Sequence, residues 1–144
     1  MIVLGIIAML IALPTYYLSF DRQGVGLAAD QLRGDMQLAR IMAINRKKSC
    51  AIVLNHPGPD QYTNSLSRHI VDLSGYRGGV CFLAQGPDGG KSGTSVSFNR
   101  QGMSTSAAQV DVYLADRKTT AVYRIRVLGP GGISVARWNG TQWY

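Results

Sequence analysis

Two histidines, two cysteines and eight acidic residues, all of them Asp, are the groups from which catalysis or metal binding could be built in this 144-residue chain. His56 stands in the Pro- and Gly-rich stretch His56-Pro57-Gly58-Pro59-Asp60, and His69 opens a β-like run. Neither has the E-x-x-H or C-x-x-C companion that a metal site uses. There is no G-x-S-x-G elbow and no Walker loop, and Gly129-Pro130-Gly131-Gly132 leads into a strand pattern, not the helix whose N-terminus would cradle phosphate. Paired aspartates would need a cleft that the sequence does not show. The residues therefore point to no enzyme, no cofactor, no metal and no small-molecule substrate. Cys50 and Cys81 leave two readings open, a pair of buried thiols or one disulfide. Asn139-Gly140-Thr141 matches an N-glycosylation sequon, a pattern short enough to arise by chance. Fifteen Lys and Arg against eight Asp give +7, which attracts polyanions non-specifically. Arg124 and Arg126 share one face of a strand pattern, with Arg117, Lys118 and Arg137 near in sequence.

The elements that position these groups fall into two unlike parts. A mean hydropathy of +0.02 averages an uncharged segment, Met1 to Phe20, with a polar, Gly-rich, basic remainder. The apolar share of 46% supports one core of ordinary size and excludes wholesale disorder. A collagen, a long coiled coil, a polytopic membrane protein and a multi-domain enzyme are excluded with it. Met1 to Leu13 is apolar on every helical face and so demands lipid or protein on all sides. As a helix, Met1–Phe20 would span about 30 Å, one bilayer core. Three readings compete: a cleavable secretory signal, a membrane anchor, and a helix that leaves lipid and repacks among copies of itself. The signal lacks its basic n-region and small-x-small site. Gly5 and Pro14 interrupt the run, and Pro14 removes an intrahelical hydrogen bond, a weak stretch suited to repacking. The side chains available for that packing are Ile2, Val3, Leu4, Gly5, Ile6, Ile7, Leu10, Ile11, Leu13, Pro14 and Tyr17.

From Asp21 onward the pattern becomes amphipathic. Val25, Ala28, Leu32, Met36, Ala39 and Ala43 recur at steps of three and four, one helix face for a domain to sit on. Arg46-Lys47-Lys48 suits the last turn of a helix as a solvated cationic end. The two segments together predict a single helix of about 45 residues, approaching 70 Å. After Cys50 the period changes from 3.6 to 2, predicting strands over Cys50–Leu54, His69–Leu73, Val80–Leu83, Ser95–Phe98, Val110–Leu114, Ala121–Val127 and Ile133–Arg137. Val110, Val112 and Leu114 alternate with Asp111 and Tyr113, which predicts an antiparallel sheet covered on one side. The expected class is α+β: an apolar segment 1–20, its amphipathic continuation 21–48, and a β-rich globular domain 49–144. Trp138, Trp143 and Tyr144 close the chain as a strand end on the core or as a contact with a neighbouring subunit.

Four stretches carry a resemblance. An apolar helix ends Ile11-Ala12-Leu13-Pro14, and the segment from Leu27 to Arg46 follows an L…L..A…AR..A..R pattern. Val96-Ser-Phe-Asn-Arg-Gln-Gly102 gives a strand and turn, and Tyr123-Arg-Ile-Arg-Val with Gly132-Ile-Ser-Val gives a closing hairpin. In these the chain resembles the type IV pilin-like proteins, and among them the GspH/FimT group of pilins and pseudopilins. The family's F-T-L-x-E-L start is absent. Either Met1 takes the first mature position with Gly5 in the glutamate's place, or Pro14 matches the family's helix proline and several residues precede Met1. The 25-residue interval from Pro14 to Ala39 favours the second register.

The resemblance implies a structural filament subunit of a type IV pilus or a type II secretion pseudopilus. It would be held in the bacterial inner membrane before assembly, then in a periplasmic pseudopilus or a cell-surface filament. Its partners would be copies of itself or other pilins, joined through the apolar helix, and its N-terminus would be methylated. Export to an oxidising compartment would favour the Cys50–Cys81 disulfide. The alternative it implies is DNA capture for uptake, as in some FimT-like relatives, through Arg124, Arg126 and Arg137. The glycine-arginine-rich signature of those relatives is not matched by Gly132-Ile-Ser-Val-Ala-Arg137.

Overall fold

The computed structural model describes residues 2–106, 108–119 and 121–144, with the side chains of its helix described from Gly24 onward. A continuous helix, α1 (Ile2–Arg46), is followed by eight strands. These are β1 (Cys50–Leu54), β2 (Gln61–Asn64), β3 (Ile70–Asp72), β4 (Val80–Leu83), β5 (Ser95–Phe98), β6 (Gln109–Asp116), β7 (Val122–Leu128) and β8 (Ile133–Arg137). All pairings are antiparallel, in two four-stranded sheets of order β3-β2-β1-β5 and β4-β6-β7-β8. The architecture is α+β.

The amphipathic half of α1 lies across both sheets, touching β1 and β5 of one and β4, β6, β7 and β8 of the other. Val25, Ala28, Ala29, Leu32, Met36, Ala39 and Ala43 are fully buried along this face. Four alanines in that stripe bring helix and strand backbones close, and Leu32 and Met36 fill the seam between the sheets with Ile52, Phe98, Leu114 and Ile125. The helix ends with Lys47 at φ 51°, where its N–H donates to Ile44 O (3.3 Å) and Lys48 N–H donates to Ala43 O (3.2 Å). That pair of reversed bonds satisfies two of the last carbonyls. Arg46, Lys47 and Lys48 are exposed.

Two expectations need correction. The strands are antiparallel as expected, but they divide into two sheets, because β1 pairs with β2 and β5 whereas β6 pairs with β4 and β7. Gln61-Tyr-Thr-Asn64 carries a single apolar residue, Tyr62, so no period-2 signal marks it, yet Tyr62 is buried and paired opposite Leu54 and Val71. Tyr113, expected on a solvated face, is fully buried. The loop from Gly86 to Gly90 lies against its ring, so closely that a Cβ at either glycine would run into it, and Trp143 covers it from the C-terminus at 5.7 Å between centroids.

Arg40 ties the helix to the turns between the sheets. Its Nε–H donates to the Gly102 carbonyl at 2.9 Å. Gly102 (φ 79°) and Gly131 (φ 94°) are both left-handed, and a Cβ on Gly131 would run into the Gly102 carbonyl oxygen and the Arg40 guanidinium. We expect Gly131→Ala to destabilise the chain by more than about 1 kcal/mol, because it adds left-handed strain to a clash. Arg40→Ala should cost about 1.5–3 kcal/mol, the range for a hydrogen bond to a charged group. Urea unfolding of the detergent-solubilised chain measures both; unchanged midpoints would show that the clamp is idle.

Candidate functional site

Two surfaces could act on something outside the chain. The first is the side of α1 turned away from its sheets. At 3.6 residues per turn, Leu27, Leu38 and Ile41 lie opposite the buried stripe. They are 62%, 50% and 52% exposed, while Ile44, at 43%, lies round the helix toward Gly102. Leu38 and Ile41 are neighbours on this face, while Leu27 stands about three turns away beyond the exposed Asp30, Gln31 and Gly34, so the face offers one apolar pair and one isolated leucine to a partner. The sequence pattern identified the buried face and missed this one, although the same three- and four-residue counting passes through Leu38 and Ile41. The filament-core positions Ile2, Val3, Leu4, Gly5, Ile6, Ile7, Leu10, Ile11, Leu13, Pro14 and Tyr17 belong to the same helix. Their side chains, like those of the whole apolar run Met1–Phe20, lie outside the described residues. Among the described residues no helix is long and apolar enough to cross a membrane.

The second surface is the outer face of β6 and β7, which carries Arg124 and Arg126 but not Arg137, whose register partner is Tyr123 on the other face of the sheet. Its arginines are not presented as a free basic patch. Arg126 donates from Nε to Asp111 Oδ1 (2.8 Å) and from a terminal nitrogen to Oδ2 (2.9 Å), a bidentate pair across the β6–β7 register. Burial pushes the Asp111 carboxyl up, yet the hydrogen bond and charge of Arg126 prevail and hold it below the usual carboxylate range. Arg124 lies 3.5 Å from Asp88, with its side chain 13% exposed, and its guanidinium carbon sits 4.4 Å from the Trp143 ring centroid. Trp143 donates from Nε1 to Asp88 at 2.8 Å and packs on Trp138 at 5.1 Å. Beneath them the Tyr113 phenol is pushed up to about 12, by burial first and then by Asp111 and Asp88. Of the three arginines expected to meet a polyanion, Arg124 and Arg126 are thus held by Asp88 and Asp111, while Arg137 is partly exposed on β8. The C-terminal aromatics are divided: Trp138 and Trp143 pack on one another, with Trp143 over the sheet, and Tyr144 is 63% exposed.

The expected Cys50–Cys81 disulfide is not formed, and both thiols are free. Cys50, buried on β1, donates to Asn64 Oδ1 of β2 at 3.1 Å. Cys81 lies on β4 of the other sheet, with its sulfur 3.5 Å from the Ala115 carbonyl. Each thiol is committed within its own sheet. Burial, with Asp60 next, raises the Cys81 thiol above its ordinary value and disfavours the reactive thiolate. Among the described residues no three His, Cys or Asp converge as a metal site. Asn139 uses its side-chain oxygen to accept from Thr141 N–H (2.9 Å) and Gln142 N–H (2.8 Å), which closes the C-terminal turn.

The comparisons agree with this geometry. The family model described as type II transport protein GspH matches residues 28–131. Two crystal structures of the type IV minor pilin FimU from Pseudomonas aeruginosa share the fold. One has a TM-score of 0.60 and 14% identity over 85% of this chain and 94% of that one. The other has a TM-score of 0.56 and 12% identity over 83% and 96%. No curated protein matches the chain.

The Asp111–Arg126 pair generates a pH prediction. A carboxyl depressed in the folded state stabilises it above the unfolded value, near 3.9, and that stability is lost as pH falls through the lower folded value. Asp111→Asn should therefore lower the urea midpoint at pH 6 and shallow its fall as the pH drops below about 4. An acid limb as steep as that of the unsubstituted chain would show that the pair contributes nothing.

Proposed function

The chain belongs to the GspH family, whose members are structural pilus or pseudopilus subunits and not enzymes, and from that premise we propose that it builds a filament through α1. The single observation that carries this is the uncovered apolar residues Leu27, Leu38 and Ile41 on a helix whose opposite face is already filled. In this reading Met1–Phe20 resides in the inner membrane before assembly and is then drawn into a bundle of like helices. Apolar burial among neighbours replaces contact with lipid, and the uncovered residues extend that bundle toward the globular domain. Where water would otherwise reach, each Å² of apolar surface covered contributes about 25 cal/mol. Repeating one off-axis contact without closure makes a helical fibre. The reading applies equally to a periplasmic pseudopilus and to a cell-surface pilus.

DNA capture is the lesser reading, since two of its three arginines already have carboxylate partners on the same face. Arg124→Ala with Arg126→Ala should leave gel-shift affinity for duplex DNA unchanged across a salt series, whereas a clear loss would restore that reading.

For the filament, electron micrographs of material sheared from the producing cells should show fibres containing the chain. Leu38→Asp with Ile41→Asp should remove the chain from those fibres while its melting temperature stays within a few degrees of the parent value, as surface substitutions do. Unaltered incorporation would exclude the Leu38–Ile41 pair from the interface.

A further inference from the structure

A pocket of about 150 Å³ opens between α1 and the β1–β2 layer, beside the uncovered Leu38–Ile41 pair. That is the size of a dry cavity able to hold one benzene-sized group. Its wall is almost wholly apolar, from Leu38, Ile52 and Tyr62, and His69 and Asp35 stand among its lining residues. Leu38 belongs both to this wall and to the exposed pair. Tyr62 is buried and donates its hydroxyl to Asp35 Oδ2, and Gln31 Nε2 donates to the same oxygen at 3.1 Å. Burial, and next that hydrogen bond, raise the Tyr62 phenol far above its ordinary range, so it stays a proton donor at any physiological pH. Both contacts fall on Oδ2. Among the described residues, Asp35 Oδ1 has no hydrogen-bond donor and no Lys or Arg pairs with this carboxylate.

We propose that this pocket receives a lysine or arginine side chain from a second copy of this chain in the filament. The deduction rests on the filament reading above. An apolar slot with an unpaired carboxylate beside it matches the two halves of such a side chain, whose methylene stem covers apolar surface while its charged head finds an anion. Within one copy the carboxylate is left without a cation although the chain carries +7. Copies of the chain therefore supply the missing charge in excess. A pair formed in a partly dehydrated slot is also less screened by salt than one in open water.

The test places a photo-crosslinking benzoylphenylalanine at Leu38 of the full chain in the cells that make the fibre. The expected product is a dimer of this chain whose crosslinked peptide, read by mass spectrometry, contains or adjoins a Lys or Arg. Asp35→Arg should reduce that product at least tenfold, and Asp35→Asn should reduce it less. Fibres that contain the chain but yield no crosslink at position 38, a crosslink to another protein, or a yield indifferent to Asp35→Arg would overturn the pocket and leave the filament standing. Absence of the chain from any fibre would overturn both. If Asp35→Arg fails to fold, the identity of the peptide crosslinked in the Asp35 background decides alone.

Discussion

The structure depends on one stripe of α1 serving two sheets at once. Val25, Ala28, Ala29, Leu32, Met36, Ala39 and Ala43 form a narrow apolar seam, and the small residues along it let strands from both layers reach the helix backbone. Neither sheet has a sufficient core without that seam. Four short antiparallel strands bury one face at most, and a sheet of this size needs a partner layer. The same constraint sets the position of Arg40. It sits beside the seam, where its guanidinium reaches the Gly102 carbonyl and holds the turn after β5 against the turn before β8.

Satisfying the domain along one face leaves the opposite face of the helix unpaid for by any internal contact. Leu27, Leu38 and Ile41 are at least half exposed there, with Leu38 also lining the pocket toward β1 and β2. The helix runs for 45 residues, and from Val25 to Ala43 its buried residues lie along one stripe. The proposed filament would answer this, with neighbouring helices supplying the missing surroundings. The charged groups follow the same division. On the outer face of β6 and β7, Asp111 and Asp88 answer Arg126 and Arg124 within the subunit. On the helix side, Asp35 has no such answer among the described residues.

The sequence was legible where periodicity is strong. β1, β4, β5 and β8 occupy the predicted residues, and α1 ends at the cationic turn expected of it. β2 was hidden because strand Gln61–Asn64 is held by its neighbours on both sides, not by its own apolar content. Tyr113 was misplaced because the alternation in β6 describes one sheet face, and the cover over the other comes from a loop and from Trp143, distant in sequence. The cysteines show the limit most plainly. Two cysteines in an exported domain suggest a bridge, but the partner of Cys50 is Asn64, and only the pairing of β1 with β2 brings Asn64 there.

By itself the sequence determined an α+β chain: an uncharged helix start, an amphipathic continuation with a named buried stripe, and a basic strand-rich domain without catalytic groups. These are local properties, carried by period, charge and turn residues, and they survive without knowing what lies across the fold. The tertiary structure alone decided how strands divide between two sheets, which arginines are neutralised, and where an unpaired carboxylate meets an apolar slot. Each of those is a relation between residues far apart in the chain. Burial and charge pairing are settled by the neighbour that packing delivers, and no residue type specifies its neighbour.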